Sequence, residues 1–121
     1  MLNLNSIMIG AENAQVLGDF YKKVLDMDPV HEDQGWVGFQ VGSCFLTIGP
    51  HDKVEGISKN PERIMFNFET KELTEEFERI KAAGATVIAA PYSMEEGGTL
   101  SIATFADPEG NYFQLMVPWE A

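Results

Sequence analysis

Polar and apolar residues alternate from Asn3 to Ile9, the two-residue period of a strand, until Gly10 interrupts them. Val16, Leu17, Phe20, Tyr21, Val24 and Leu25 then recur at helical spacing and make one apolar stripe. Asn13 is placed to cap that helix, which runs to about Leu25, and Asp28-Pro29 ends it. Short strands follow at about Val30–Glu32, Gly35–Val41 and Cys44–Ile48, with Val41-Gly42-Ser43-Cys44 as the tight connection between the last two. His51 to Pro61 lacks periodicity and reads as a linker. Beyond it the pattern predicts a strand over Arg63–Glu69 and a helix over Thr70–Ala83 that stops at Gly84. A strand over Thr86–Ala89 and a loop over Pro91–Gly98 come next. Strands over Thr99–Phe105 and Tyr112–Val117 end the series, joined by the turn Asp107-Pro108-Glu109-Gly110-Asn111.

The order β-α-β-β-β is thus written twice. A shift of 57 lays Ile7, Met8, Ile9, Phe20 and Val30 on Ile64, Met65, Phe66, Phe77 and Val87. A shift of 68 lays Gly42, Phe45, Ile48 and Pro50 on Gly110, Phe113, Met116 and Pro118. Matches in register with matching element order signal a duplication. The predicted fold class is α+β: one domain over 1–121, with an N-terminal module at 1–50, a linker at 51–61 and a C-terminal module at 62–121. Strand parity separates two faces. Ile7, Ile9, Ile64, Phe66, Phe68, Phe113 and Leu115 make an apolar face for the helices. Ser6, Met8, Cys44, Leu46, Ile48, Arg63, Met65, Asn67, Tyr112, Gln114 and Met116 make a mixed face. That mixture fits a half-open, Met-rich cavity; a dimer interface or a surface with some apolar exposure is the alternative.

Charge narrows the partners. With 8 Lys+Arg against 19 Asp+Glu the chain carries −11, which excludes a free-standing nucleic-acid binder and argues against docking on an anionic membrane. All eight basic residues lie between Lys22 and Lys81, so a cation aimed into a pocket is rare here. A single cysteine, Cys44, excludes a disulfide framework and a cysteine-rich zinc site. With no cation or histidine partner identifiable, Cys44 reads as inert. Met1 to Ile9 lacks a signal-peptide pattern and no apolar stretch reaches membrane-spanning length, so the expected location is the cytoplasm.

The run Phe105-Ala106-Asp107-Pro108-Glu109-Gly110-Asn111-Tyr112-Phe113-Gln114-Leu115 resembles the terminal hairpin of the vicinal oxygen chelate superfamily, which includes glyoxalase I, bleomycin- and fosfomycin-resistance proteins and extradiol dioxygenases. Phe20-Tyr21-Lys22-Lys23-Val24-Leu25-Asp26-Met27 and Lys81-Ala82-Ala83-Gly84-Ala85 resemble that family's two helix ends. The resemblance implies paired modules forming a U-shaped cavity, most often as a homodimer with modules exchanged between chains. It also implies four inward positions that can chelate one divalent ion. Carried onto this sequence they are Ser6, Leu46, Arg63 and Gln114, or Asn5 and Thr47 in place of Ser6 and Leu46 if the register slips by one. Neither set offers the histidines and carboxylates that zinc, nickel or iron favour. His31 and His51 are expected on the solvent side. No cofactor is therefore expected, and a divalent metal is disfavoured.

The metal-free members that the chain resembles bind small molecules, including flat antibiotics held between aromatic rings. Candidate rings are Trp36, Tyr112, Tyr92 and Trp119, with packing in the barrel as the alternative for Trp36. Arg63 would meet an anion if it points into the cavity, or else lean to solvent beside Glu62 or Glu95. Ser6, Asn67 and Gln114 would supply directional hydrogen bonds, with Leu46 and Met65 as apolar neighbours. Glu95-Glu96-Gly97-Gly98 reads as an acidic lid. The leading expectation is a metal-independent small-molecule-binding protein of the drug-sequestering kind. The alternatives are an enzyme (lyase, isomerase or dioxygenase-like) with a non-standard metal site, or a regulatory module with a vestigial cavity.

Overall fold

The computed structural model describes residues 1–93 and 95–118. The chain divides into two compact units, Met1–Gly56 and Ile57–Ala121, and the division falls inside the stretch read as a linker. The first unit runs β1 (Ser6–Ala11), α1 (Ala14–Leu25), β2 (His31–Asp33), β3 (Trp36–Val41) and β4 (Cys44–Pro50). Its sheet has the order β1-β4-β3-β2, with β1 parallel to β4 and the other pairs antiparallel. The second unit runs β5 (Phe66–Glu69), α2 (Leu73–Ala82), β6 (Thr86–Tyr92), β7 (Ile102–Ala106) and β8 (Tyr112–Met116). Its order is β5-β8-β7-β6, with the same senses. The duplicated βαβββ pattern and the α+β class are thus the fold itself.

Helix α1 begins where Asn13 Oδ1 accepts the Val16 N–H at 3.3 Å, which satisfies one of the unpaired donors of the first turn. Its stripe Leu17, Phe20, Tyr21 and Val24 is buried against the sheet, whereas Val16, expected in that stripe, is exposed. The helix ends at Asp26, a non-glycine in the left-handed region at φ 52°. Helix α2 buries Leu73, Phe77 and Ile80. Phe77 stacks on Phe105 at 5.3 Å between centroids, and Phe105 stacks on Phe113 at 5.5 Å. These ring contacts hold the helix to β7 and β8. The Asp107–Asn111 turn is tied by its own acid: the buried Asp107 carboxylate accepts the backbone N–H groups of Glu109 (2.9 Å) and Asn111 (3.0 Å), and Gly110 turns the chain at φ 79°.

Several element boundaries differ from the sequence pattern. Strand β1 continues through Gly10 to Ala11, because a strand admits glycine where another chain segment comes close: a Cβ on Gly10 would lie 2.9 Å from His51 Cβ. Strand β5 starts at Phe66, not Arg63, and the turn before it leaves Ile64, expected in the core, 73% exposed. Strand β6 carries on past Ala89 to Tyr92; its Pro91 is tolerated because β6 is an edge strand, and register shifts break its pairing with β7. Strand β7 starts at Ile102 rather than Thr99. Helix α2 starts at Leu73, after Thr70 Oγ1 has accepted the Glu72 N–H at 3.0 Å.

Candidate functional site

Each sheet packs one face on its helix and leaves the other open. In the first unit Ile9, Leu46, Ile48 and Phe39 are buried on the helix side. The parallel register sets Ser6 beside Phe45 and Met8 beside Thr47, so Ser6, Met8, Phe45 and Thr47 share the open face. Leu46, Ile48 and Cys44, expected on the mixed face, lie instead on the helix side. Leu46 retains only 4% of its surface, and Cys44 is half-buried. The cause is one residue of register. Aligning Gly42 with Gly110 equates the two-residue loop between Val41 and Cys44 with the five-residue loop between Ala106 and Tyr112. One loop is even and the other odd, so every side chain of β4 changes face.

Two aromatic rings pave the open face of the first sheet. The Trp36 indole lies over Gly49, where a Cβ would fall 1.9–2.3 Å from three of its ring atoms. The Phe45 ring lies over Gly38, where a Cβ would fall 2.6 Å from its tip. Both rings are half-buried. His31, expected on the solvent side, is exposed, but its pairing with Gly38 sets it on this same face at the edge of the sheet. His51 is also exposed and lies just beyond β4. Of these residues the sequence pattern named Trp36, Ser6 and Met8, gave Thr47 only as the inward residue if the register slips by one, and missed Phe45 and His31 as open-face residues. The signal available was the pair of glycines, Gly38 and Gly49, set two residues or one strand away from a ring.

In the second unit the open face carries Asn67 on β5, Gln114 on β8 and Thr104 on β7 as one cross-strand row. Gln114 Nε2 donates to Thr104 Oγ1 at 3.0 Å, and Thr104 is 95% buried (5% exposed). Met116 and Tyr112 flank the row on β8, half-buried, with Glu69 at the end of β5. Tyr92, at the end of β6, pairs with Ile102 and is 43% exposed. Met65 is half-buried just ahead of β5. Arg63 sits in an exposed turn whose backbone N–H bonds Asn60 at 3.1 Å, so it does not join Asn67 and Gln114 on a strand. Among the described residues no strand of either sheet carries a Lys or Arg. Glu95 to Gly98 forms an exposed hydrogen-bonded turn. Trp119 lies outside the described residues.

The donor set does not fit a catalytic metal. At the four inherited positions stand Ser6, Leu46 or its open-face neighbour Thr47, Arg63 and Gln114, without a histidine or carboxylate among them. Among the described residues there is no group of three or more His, Cys, Asp or Glu side chains able to hold a metal ion. A separate groove of about 310 Å³ lies between α1 and the β2–β3 hairpin, with Gln15, Asp19, Lys22, Glu32 and Asp33 among its residues; Gly18, Val37 and Phe39 place it on the helix side of the sheet. No helix among the described residues is long and apolar enough to cross a membrane.

This architecture is found in solved structures. A glyoxalase/bleomycin resistance protein/dioxygenase family enzyme from Burkholderia phytofirmans PsJN superposes with a TM-score of 0.74 at 21% identity, over 94% of this chain and 97% of that one. A glyoxalase-related enzyme from Fulvimarina pelagi gives 0.77 at 18% identity, over 98% and 89%. A mutant fosfomycin resistance protein from Listeria monocytogenes, complexed with Mn(II) and 1S,2S-dihydroxypropylphosphonic acid, gives 0.73 at 18% identity, over 98% and 92%. None of the curated proteins matches the chain. The family model for the glyoxalase-like domain matches residues 6–116, and the chain belongs to that family, within the vicinal oxygen chelate superfamily.

Proposed function

We propose that this protein binds an organic small molecule on the open face of a sheet without a metal. The observation that supports the reading is the chemistry of the open-face side chains. On the first sheet Ser6 and Thr47 are uncharged hydrogen-bonding groups beside Met8 and the rings of Trp36 and Phe45, and on the second Asn67 and Gln114 lie beside Met116. A few directional polar groups amid apolar and aromatic surface is the composition of small-molecule sites. Family membership adds the fold, and fold alone assigns no ligand.

The test has two parts. Elemental analysis of purified protein should find no stoichiometric divalent metal; tightly bound zinc, nickel, iron or manganese at one per chain refutes the reading. A thermal-shift screen of planar antibiotics and small acids should then find a stabilising ligand. A compound at a hundredfold its Kd adds about 2.7 kcal/mol, which is several degrees for a domain of this size. A screen in which nothing shifts the transition removes binding as the function.

A further inference from the structure

We infer that Met8 is a site of reversible oxidation, and that a sulfoxide there weakens binding on the open face of the first sheet. The inference rests on the proposed binding function and adds its regulation; the order in which the methionines oxidise depends on the structure alone. Met8 lies on β1, an edge strand, and stands beside Thr47 on the open face. Its neighbours along the strand on that face are Ser6 and Gly10, one short side chain and one glycine. The Trp36 and Phe45 rings cover Gly49 and Gly38 on the two inner strands, and Met8 keeps 60% of its surface. Met65 and Met116 are half-buried, and Met27, just past α1, is 36% exposed.

The oxidant is hydrogen peroxide. The Met8 sulfur attacks one peroxide oxygen, an S–O bond forms and the O–O bond breaks; the sulfur gives up two electrons, and the departing hydroxide takes the proton and leaves as water. A thiol-dependent sulfoxide reductase reverses the step: two thiols supply two electrons and become a disulfide, and the oxygen leaves as water. Oxidation follows access to the sulfur, which the edge position gives to Met8. Cys44, the single thiol of the chain, is half-buried on the helix side with Sγ 3.8 Å from the Phe45 carbonyl oxygen, away from this face. The sulfoxide exchanges a polarizable apolar sulfur for a strong dipole whose oxygen needs a donor. An aromatic ligand laid against Met8 and the two rings covers that oxygen and offers it none, and an acceptor covered and left unpaired weakens binding.

The test uses full-length protein carrying carbon-13 in its methionine methyl groups, with NMR reading each sulfur separately as hydrogen peroxide is added. Met8 should convert to the sulfoxide several times faster than Met65 or Met116. N-phenyl-1-naphthylamine, a neutral aromatic probe that brightens when bound, should shift the Met8 methyl signal of the unoxidised protein. Oxidation should weaken its binding about tenfold, the ratio expected for one unpaired polar group. A methionine sulfoxide reductase with dithiothreitol should restore it. In Met8→Leu, peroxide should leave that variant's own affinity as it was. Met65 or Met116 reacting as fast as Met8 overturns the site. Probe affinity unchanged by oxidation of Met8, or lowered by peroxide equally in Met8→Leu, overturns the switch and leaves the binding function standing. A probe that does not shift the Met8 methyl signal of unoxidised protein overturns binding on this face, and the switch with it.

Discussion

Replacing Gly49 with alanine would put a methyl carbon 1.9–2.3 Å from three atoms of the Trp36 indole. Carbon atoms in contact sit at about 3.5–4.0 Å, so the ring must move by about 1.5 Å or leave its rotamer. Overpacking of this kind costs about 1–3 kcal/mol. Without the indole the sign reverses, since alanine in a strand is better than glycine by about 0.5–1 kcal/mol. A double-mutant cycle isolates the contact. Gly49→Ala should lower stability by about 2 kcal/mol in the wild-type background and raise it slightly in the Trp36→Ala background, a coupling of more than about 2 kcal/mol. Urea denaturation of the four proteins measures it, and at roughly 4 °C per kcal/mol thermal melts give the same answer. In a Trp119→Phe background, where Trp36 is the only indole, its emission should shift to longer wavelength when Gly49 becomes alanine. Additivity within about 0.5 kcal/mol would show that the ring does not lie on Gly49, and the aromatic paving would have to be abandoned.

Two further outcomes follow from the helices. Asp26 holds a left-handed conformation at φ 52° at the C-terminus of α1, where a carboxylate also opposes the helix dipole, so Asp26→Gly should stabilise the protein by about 1 kcal/mol in chemical denaturation; an unchanged midpoint counts against this account of the cap. Arg79 hydrogen-bonds Glu76 at 2.9–3.0 Å and holds its carboxyl below the ordinary value of 4.5, with burial opposing and the Arg79 charge assisting. A carboxylate lowered in the folded state contributes stability above its unfolded pKa and loses it as pH falls through the folded one. The pair is a third exposed, so Arg79→Met should cost no more than about 0.5 kcal/mol at pH 7, and the difference should vanish below the lowered value; a difference that grows in acid would contradict the assignment.

What the sequence made legible was periodicity and capping. Asn13, the α1 stripe and the Asp107–Asn111 turn are local devices, and local chemistry dictates them. The duplicated element order was legible for the same reason. The face of β4 was not, because it depends on the parity of one hairpin loop and not on any residue in the strand; Leu46 and Thr47 are both ordinary strand residues, and only the loop decides which is buried. Arg63 was misjudged as a strand residue because Ile64 and Met65 continue the apolar pattern into a turn. The partnership of Gln114 with Thr104 was hidden for another reason: it crosses strands, and register must be known before any such pair can be named.

The parallel pairing of β1 with β4, and of β5 with β8, ties the beginning of each unit to its own end. During synthesis neither sheet can close until its final strand has emerged, because the ladder that completes it spans the whole unit. For the first unit every strand is present by Pro50, before any strand of the second unit has been made. Its sheet can therefore close on the growing chain while the second unit is still within or behind the ribosome, which spares the nascent protein a stage with eight unpaired strands.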